Sequence, residues 1–199
     1  MLPPMTALPE LILASTSRYR RELMTRLGLP FRAMPPACDE EALKRPELAP
    51  EALAVMLALA KAESLRETEA GATIIGSDQV AALGEVILSK PGTAARAIEQ
   101  LTLLAGRTHV LVTAVAVAHA GGVIEHVDVT RLSMRPLTRA QIERYVEADA
   151  PLDCAGSYKL EARGITLFER VASEDHSAVT GLPLIALTSM LARLGYPVP

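Results

Sequence analysis

The chain has 199 residues, half of them apolar and 22% charged, and its 20 basic and 23 acidic residues leave a net charge of −3. That is enough apolar mass for one domain, or one domain in two lobes, and the acidic balance argues against a bulk nucleic-acid binder, which needs a large cationic surface. With two Phe, four Tyr and no Trp, the core must be built from aliphatic residues, and a sheet that stacks bases on aromatic rings is disfavoured.

In chain order, Leu11–Ala14 reads as a short buried strand, and Ser17 as the N-cap of a helix running to Leu27 before Gly28. Leu29–Met34 reads as a second strand, and the stretch from Pro35 to Pro50, rich in proline and charge, as a loop. Glu51–Glu69 has helical periodicity, with Leu53, Leu57, Ala60 and Ser64 on one face. Ala72–Gly76 is strand-like and ends on Gly-Ser-Asp, after which Val80–Leu88 reads as a hairpin around Leu83-Gly84-Glu85. Thr93 caps a helix to about Ala105, and Thr108–Ala118 and Val123–Met134 form a long β-hairpin turning at Gly121-Gly122. Thr138-x-x-Gln141 is a capping box for a helix to about Ala148. A loop at Pro151–Gly164, a strand at Ile165–Val171 and an apolar helix at Gly181–Leu194 close the chain. Helices and strands alternate with hairpins, so the expected fold is α/β, with a mixed sheet flanked by helices.

Cys38 and Cys154 are far apart and show no CxxC spacing, so a reducing cytoplasm is the expected compartment. Met1–Glu10 has no basic segment ahead of its apolar residues and does not read as a signal peptide. The longest apolar runs, Ala52–Ala60 and Val110–Ala118, fall short of the ~18 residues of a membrane span.

Several segments could carry chemistry. Ser15-Thr16-Ser17, between a strand and a helix start, exposes backbone N–H groups suited to an anion, with Arg20 one turn on; the same pattern also suits an ordinary N-cap. Asp39, Glu40 and Glu41 could hold a hard cation or form a solvated acidic turn. Asp78, expected at the C-terminal end of a strand, stands where α/β sheets place catalytic groups, although a turn-forming Asp gives the same pattern. Lys61 lies inside an apolar helix face and Lys90 precedes Pro91-Gly92. Lys61 flanked by Ala60 and Ala62 fits a snorkelling side chain and Lys90 a surface turn, and neither is informative alone. His109, His119, His126 and His176 lack metal spacing and are expected in the core or at the surface. An anion cradle, two acidic sites, two lysines and no evident nucleophile together fit metal-assisted attack of water on a phosphoanhydride.

The ordered set Leu11-Ile-Leu-Ala-Ser-Thr-Ser17, Tyr19-Arg-Arg21, Asp39-Glu40, Leu59-Ala-Lys-Ala62, Ile75-Gly-Ser-Asp-Gln-Val80, Ser89-Lys-Pro91, Gly106-Arg-Thr-His109, Tyr145-Val146, Pro151-Leu-Asp-Cys-Ala-Gly-Ser157, Gly164-Ile-Thr-Leu-Phe-Glu-Arg170 and Gly181-Leu-Pro-Leu184 resembles the Maf family of nucleoside triphosphate pyrophosphatases. The resemblance implies a two-lobed α/β domain over residues 10–199 with a central cleft, preceded by a flexible extension at 1–9, and a homodimer. It implies hydrolysis of a nucleoside triphosphate between the α- and β-phosphates with Mg²⁺ or Mn²⁺. Under it, Asp78 is the general base or water-orienting carboxylate, Glu40 joins it at the metal, Arg20, Lys61 and Lys90 hold the triphosphate, and Ser15 to Ser17 form the cradle. Neither nucleic acid nor membrane is an expected partner.

At Tyr19, Gln79 and Glu161 the chain resembles the branch of the family acting on 7-methyl-GTP; the branch acting on dTTP and UTP carries Arg, Thr and Gln there. N7-methylation makes guanine cationic. An aromatic face at Tyr19 attracts a cation, and a carboxylate at Glu161 neutralises it or accepts from the N1–H/N2–H edge. Tyr19 replaces the Trp common in that branch, Cys38 a Val, and Leu160, Ala162 and Arg163 flank Glu161 atypically. The alternatives are a pyrophosphatase for dTTP/UTP or ITP, and a non-catalytic nucleotide-binding regulator of septum formation.

Overall fold

The computed structural model describes residues 8–43, 45 and 47–198; the first seven residues of the expected N-terminal extension lie outside them. The elements are β1 (Leu11–Ala14), α1 (Arg18–Thr25), β2 (Arg32–Met34), α2 (Glu40–Leu43), α3 (Pro50–Glu63), β3 (Thr73–Leu83), β4 (Val86–Leu88), α4 (Ala94–Leu104), β5 (Thr108–His119), β6 (Gly122–Met134), α5 (Arg139–Asp149), β7 (Phe168–Ala172), α6 (His176–Val179) and α7 (Leu184–Arg193). The sheet is mixed, as expected: its order is β2-β1-β3-β5-β6-β7 with β4 on β3, and only β1 pairs parallel, with β2 and β3.

Period-2 alternation along β3 decides the layering. Ile74, Gly76, Asp78 and Val80 face α3, whose buried stripe is Leu53, Ala54, Leu57, Ala58, Lys61 and Ala62. Ile75, Ser77 and Gln79 face the opposite side, where Ile75 packs with α1 and α7 residues such as Met24, Leu187 and Leu191. At the far end of the strands a third apolar cluster joins Ala81, Leu111 and Leu132 to α4 and α5. The cleft is lined by the β1–α1 turn, α3, β3, β4 and the 153–161 segment.

Three local expectations are corrected. β3 runs unbroken through Gly76-Ser77-Asp78-Gln79, pairing with β5 from Ile74↔Ala118 to Ala82↔Val110, so Asp78 sits in mid-strand rather than at a strand end. Gly76 is there for close packing and not for a turn: a Cβ at Gly76 would stand 2.2 Å from Ala58 O and 2.6 Å from Ala62 N. The acidic part of the expected 35–50 loop forms α2, because Asp39 Oδ1 accepts from the N–H of Glu41 and Ala42, both at 3.1 Å. Finally, the segment expected as a strand from Ile165 begins as a 3-10 turn at Arg163–Leu167, and α6 was not foreseen. No helix among the described residues is long and apolar enough to cross a membrane.

Candidate active site

A cleft of about 1260 Å³ gathers Ser15, Ser17, Tyr19, Arg20, Glu40, Lys61, Asp78, Gln79, Lys90 and Glu161 onto its walls. Its floor is a charge cluster. Lys61 Nζ lies 2.6 Å from Asp78 Oδ1 and 2.9 Å from Glu40 Oε2. The Lys61 side chain is only 4% exposed, against 13% for Asp78 and 44% for Glu40. Of the readings open for Lys61, snorkelling is therefore not the one realised: its stem lies in the α3 stripe and its ammonium ends between two carboxylates. The acidic segment divides its work in the same way, with Asp39 capping α2 and Glu40 turned to Lys61.

In the turn between β1 and α1, Ser17 Oγ accepts from Arg20 N–H at 3.4 Å, and Ser15 Oγ accepts from Ser17 N–H at 3.1 Å. The N-cap is thus real, and it lines the cleft as well. Arg20 Nε donates to Gly181 O at 2.9 Å. Burial pulls the Arg20 guanidinium below its ordinary pKa, while Asp78 and Glu40 act against that pull, so the arginine feels the floor's negative charge. Lys90, exposed just after β4, stands on the rim.

The other end of the cleft is built differently. Tyr19 is half-buried, and the Arg18 guanidinium lies 5.4 Å from its ring centroid. Burial first, and then the nearby Glu161 carboxylate, push the Tyr19 phenol above its usual pKa. Glu161 is exposed on the cleft wall. Lys159 Nζ, on the same loop, pairs with Asp153 Oδ1 at 3.3 Å. The other tyrosines, Tyr145, Tyr158 and Tyr196, are buried.

Gln79 points to the face of β3 opposite Asp78. Its Nε2 lies 2.9 Å from Thr113 Oγ1, 2.9 Å from Ala178 O and 3.1 Å from Val179 O. Ser77 Oγ donates between Ala114 O at 2.8 Å and Gly181 O at 2.9 Å. Asp175, buried at the start of α6, accepts through Oδ1 from Ser177 N–H at 2.9 Å and through Oδ2 from Ile185 N–H at 2.8 Å. Ser77, Asp153 and Lys159 stand in segments marked in the sequence but with no role assigned to them, and Asp175 stands in none. The only local hint for Asp175 was an Asp two residues before a Ser, an Asx-turn pattern; the rest depend on contacts between distant segments.

The family model described as "Maf-like protein" matches residues 10–194. Among curated relatives, the 7-methyl-GTP pyrophosphatase of Bdellovibrio bacteriovorus is 50% identical over 182 residues, 92% of this chain and 95% of that one. The protein of that name from Xanthomonas oryzae pv. oryzae is 47% identical over 96% of this chain and 100% of its own. That from Thiobacillus denitrificans is 48% identical over 96% of this chain and 94% of its own.

Proposed function

The chain belongs to the Maf family, and on that footing we propose that it hydrolyses nucleoside triphosphates at the α–β anhydride, with 7-methyl-GTP as its substrate. The observation that carries this reading is the floor of the cleft, where Lys61 draws Asp78 and Glu40 to one point on a wall that Arg20 also lines. Such a site offers a carboxylate to take a proton from water and cations to hold a polyphosphate.

In this mechanism the polyphosphate lies along the Ser15–Ser17 segment between Arg20 and Lys90. Arg20 spends Nε on Gly181 O, and its terminal nitrogens present a planar fork to phosphate oxygens. Lys61 fixes one Asp78 oxygen, and the other accepts a proton as water adds to phosphorus. The anhydride bond then breaks, the nucleoside monophosphate and diphosphate separate, and the cations meet the charge that develops on the leaving oxygen. Among the described residues no three His, Cys, Asp or Glu side chains are grouped to hold a metal. The carboxylate oxygens of Glu40 and Asp78 that Lys61 leaves free would be the ones to hold Mg²⁺ or Mn²⁺, ions that take one or two carboxylates together with phosphate oxygens and water. Held there, such an ion would supply charge neutralisation to the polyphosphate.

At the other end, the Tyr19 ring and the Glu161 carboxylate together favour a cationic purine over a neutral base. Gln79, bound to the 178–179 carbonyls, bears on that choice through the segment it holds. The homodimer implied by the family resemblance belongs to the same proposal. The test is diphosphate release from 7-methyl-GTP, GTP, dTTP, UTP and ITP with Mg²⁺. The expected result is the highest kcat/KM for 7-methyl-GTP. Equal rates on dTTP overturn the substrate assignment, and binding without release would make the chain a nucleotide-binding regulator.

A further inference from the structure

One backbone carbonyl joins the arginine side of the cleft to the strand that carries Asp78. Gly181 O accepts from Arg20 Nε at 2.9 Å and, also at 2.9 Å, from Ser77 Oγ, whose one proton is shared with Ala114 O at 2.8 Å. Ser77 is 0% exposed and immediately precedes Asp78 on β3. The glycine is required here by its φ of +112°, a conformation that L side chains rarely adopt, while the space beside Arg20 Nε, 3.5 Å from a notional Cβ, is an ordinary contact.

The segment bearing this carbonyl is strapped down from two directions. Thr113 Oγ1 and Gln79 Nε2 donate to Ala178 O, each at 2.9 Å. On the α7 side, Asp175 holds the N–H groups of Ser177 and Ile185, while Ser177 Oγ accepts from Leu184 N–H at 2.9 Å. Ser77 is the strap nearest Arg20, because it binds the same oxygen.

We propose that Ser77 is a positioning residue for Arg20, acting through the Gly181 carbonyl oxygen that both side chains contact. The Ser77 hydroxyl ties that oxygen to the β3–β5 sheet, and the tied oxygen fixes the direction of Arg20 Nε and so of the fork beyond it. Without the hydroxyl the 181 peptide can tilt, and the guanidinium leaves its bidentate approach to phosphate. The role rests on the proposed use of Arg20 to hold the polyphosphate.

The test is a double-mutant cycle read by calorimetric binding of inorganic tripolyphosphate, which has no base to recognise. Ser77→Ala is expected to weaken binding by roughly 5- to 10-fold in the wild-type chain, and by less than about twofold when Arg20→Ala is already present, as for groups that share a partner. Ser77→Cys keeps a weak donor in nearly the same volume; it is expected to bind more tightly than Ser77→Ala and replaces it in the cycle if the alanine variant does not fold. Equal losses in both Arg20 backgrounds, or no loss at all, overturn the positioning role. Diphosphate release from 7-methyl-GTP is measured in parallel. Coupling between Ser77 and Arg20 in a chain that cleaves no nucleoside triphosphate overturns the proposed function and leaves the positioning role standing.

Discussion

At the scale of single residues, the buried Lys61 ammonium dominates the energetics of the site. Taking an ammonium out of water costs several kcal/mol, and only well-placed partners offset it. Here Asp78 and Glu40, at 2.6 and 2.9 Å, share that task. The sharing makes Asp78 testable. In Asp78→Asn the amide oxygen can still accept from Lys61, and Glu40 still supplies a charge, so the fold is expected to survive. The proton acceptor is lost, and diphosphate release is expected to fall by about 100-fold or more. Urea unfolding beside the rate assay separates the two effects, and a variant with full turnover would remove Asp78 from the chemistry.

At the scale of elements, α3 and β3 act as one unit. The approach of α3 to β3 depends on Gly76 lying under Ala58 and Ala62, and α3 carries Lys61 one residue before Ala62. Gly76→Ala places a methyl where backbone already stands, so α3 must lift. The expected cost is about 3 kcal/mol in denaturant unfolding, together with loss of activity as Lys61 leaves Asp78. An alanine variant with wild-type stability would mean that the contact is looser than described. The same pair shows what the sequence could convey. Hydrophobic periodicity and caps marked α3, α4, α5 and the β5–β6 hairpin, because those signals are local: Thr93 and Thr138 cap as read. Gly76-Ser77-Asp78-Gln79 read as a strand end because glycine and polar residues are turn formers by local preference. In the fold, Ser77, Asp78 and Gln79 each bond to a group 17 or more residues away in sequence. No local pattern encodes such partners. The ordered motifs therefore pointed to the residues of the cleft, while the straps on the 175–185 segment became visible only with the strands in place.

For the whole molecule, the cluster at the α4–α5 end carries an unusual member. His109 is 1% exposed, with Nε2 2.8 Å from Tyr158 Oη. Its Nδ1 has no hydrogen-bond partner among the described residues, and burial pushes its pKa down to about 4. From pH 6.5 down to about 4, the unfolded chain binds a proton at this histidine that the folded chain does not. Stability must therefore fall as pH drops through that window, by about 2–3 kcal/mol between pH 7.5 and 4.5 from this group alone. His109→Phe is expected to remove that part of the slope, as measured by urea unfolding at both pH values. A phenylalanine variant with the wild-type slope would show that the histidine does not stay neutral in the fold.

The distribution of rings has an optical consequence. With four tyrosines and no tryptophan, ultraviolet emission from the chain is tyrosine emission alone. Tyr145, Tyr158 and Tyr196 are locked in the interior, whereas Tyr19 stands half-buried on the cleft wall. A purine settling on that ring would quench one emitter out of the set, so the protein carries its own fluorescent gauge of occupancy, with no dye or label needed.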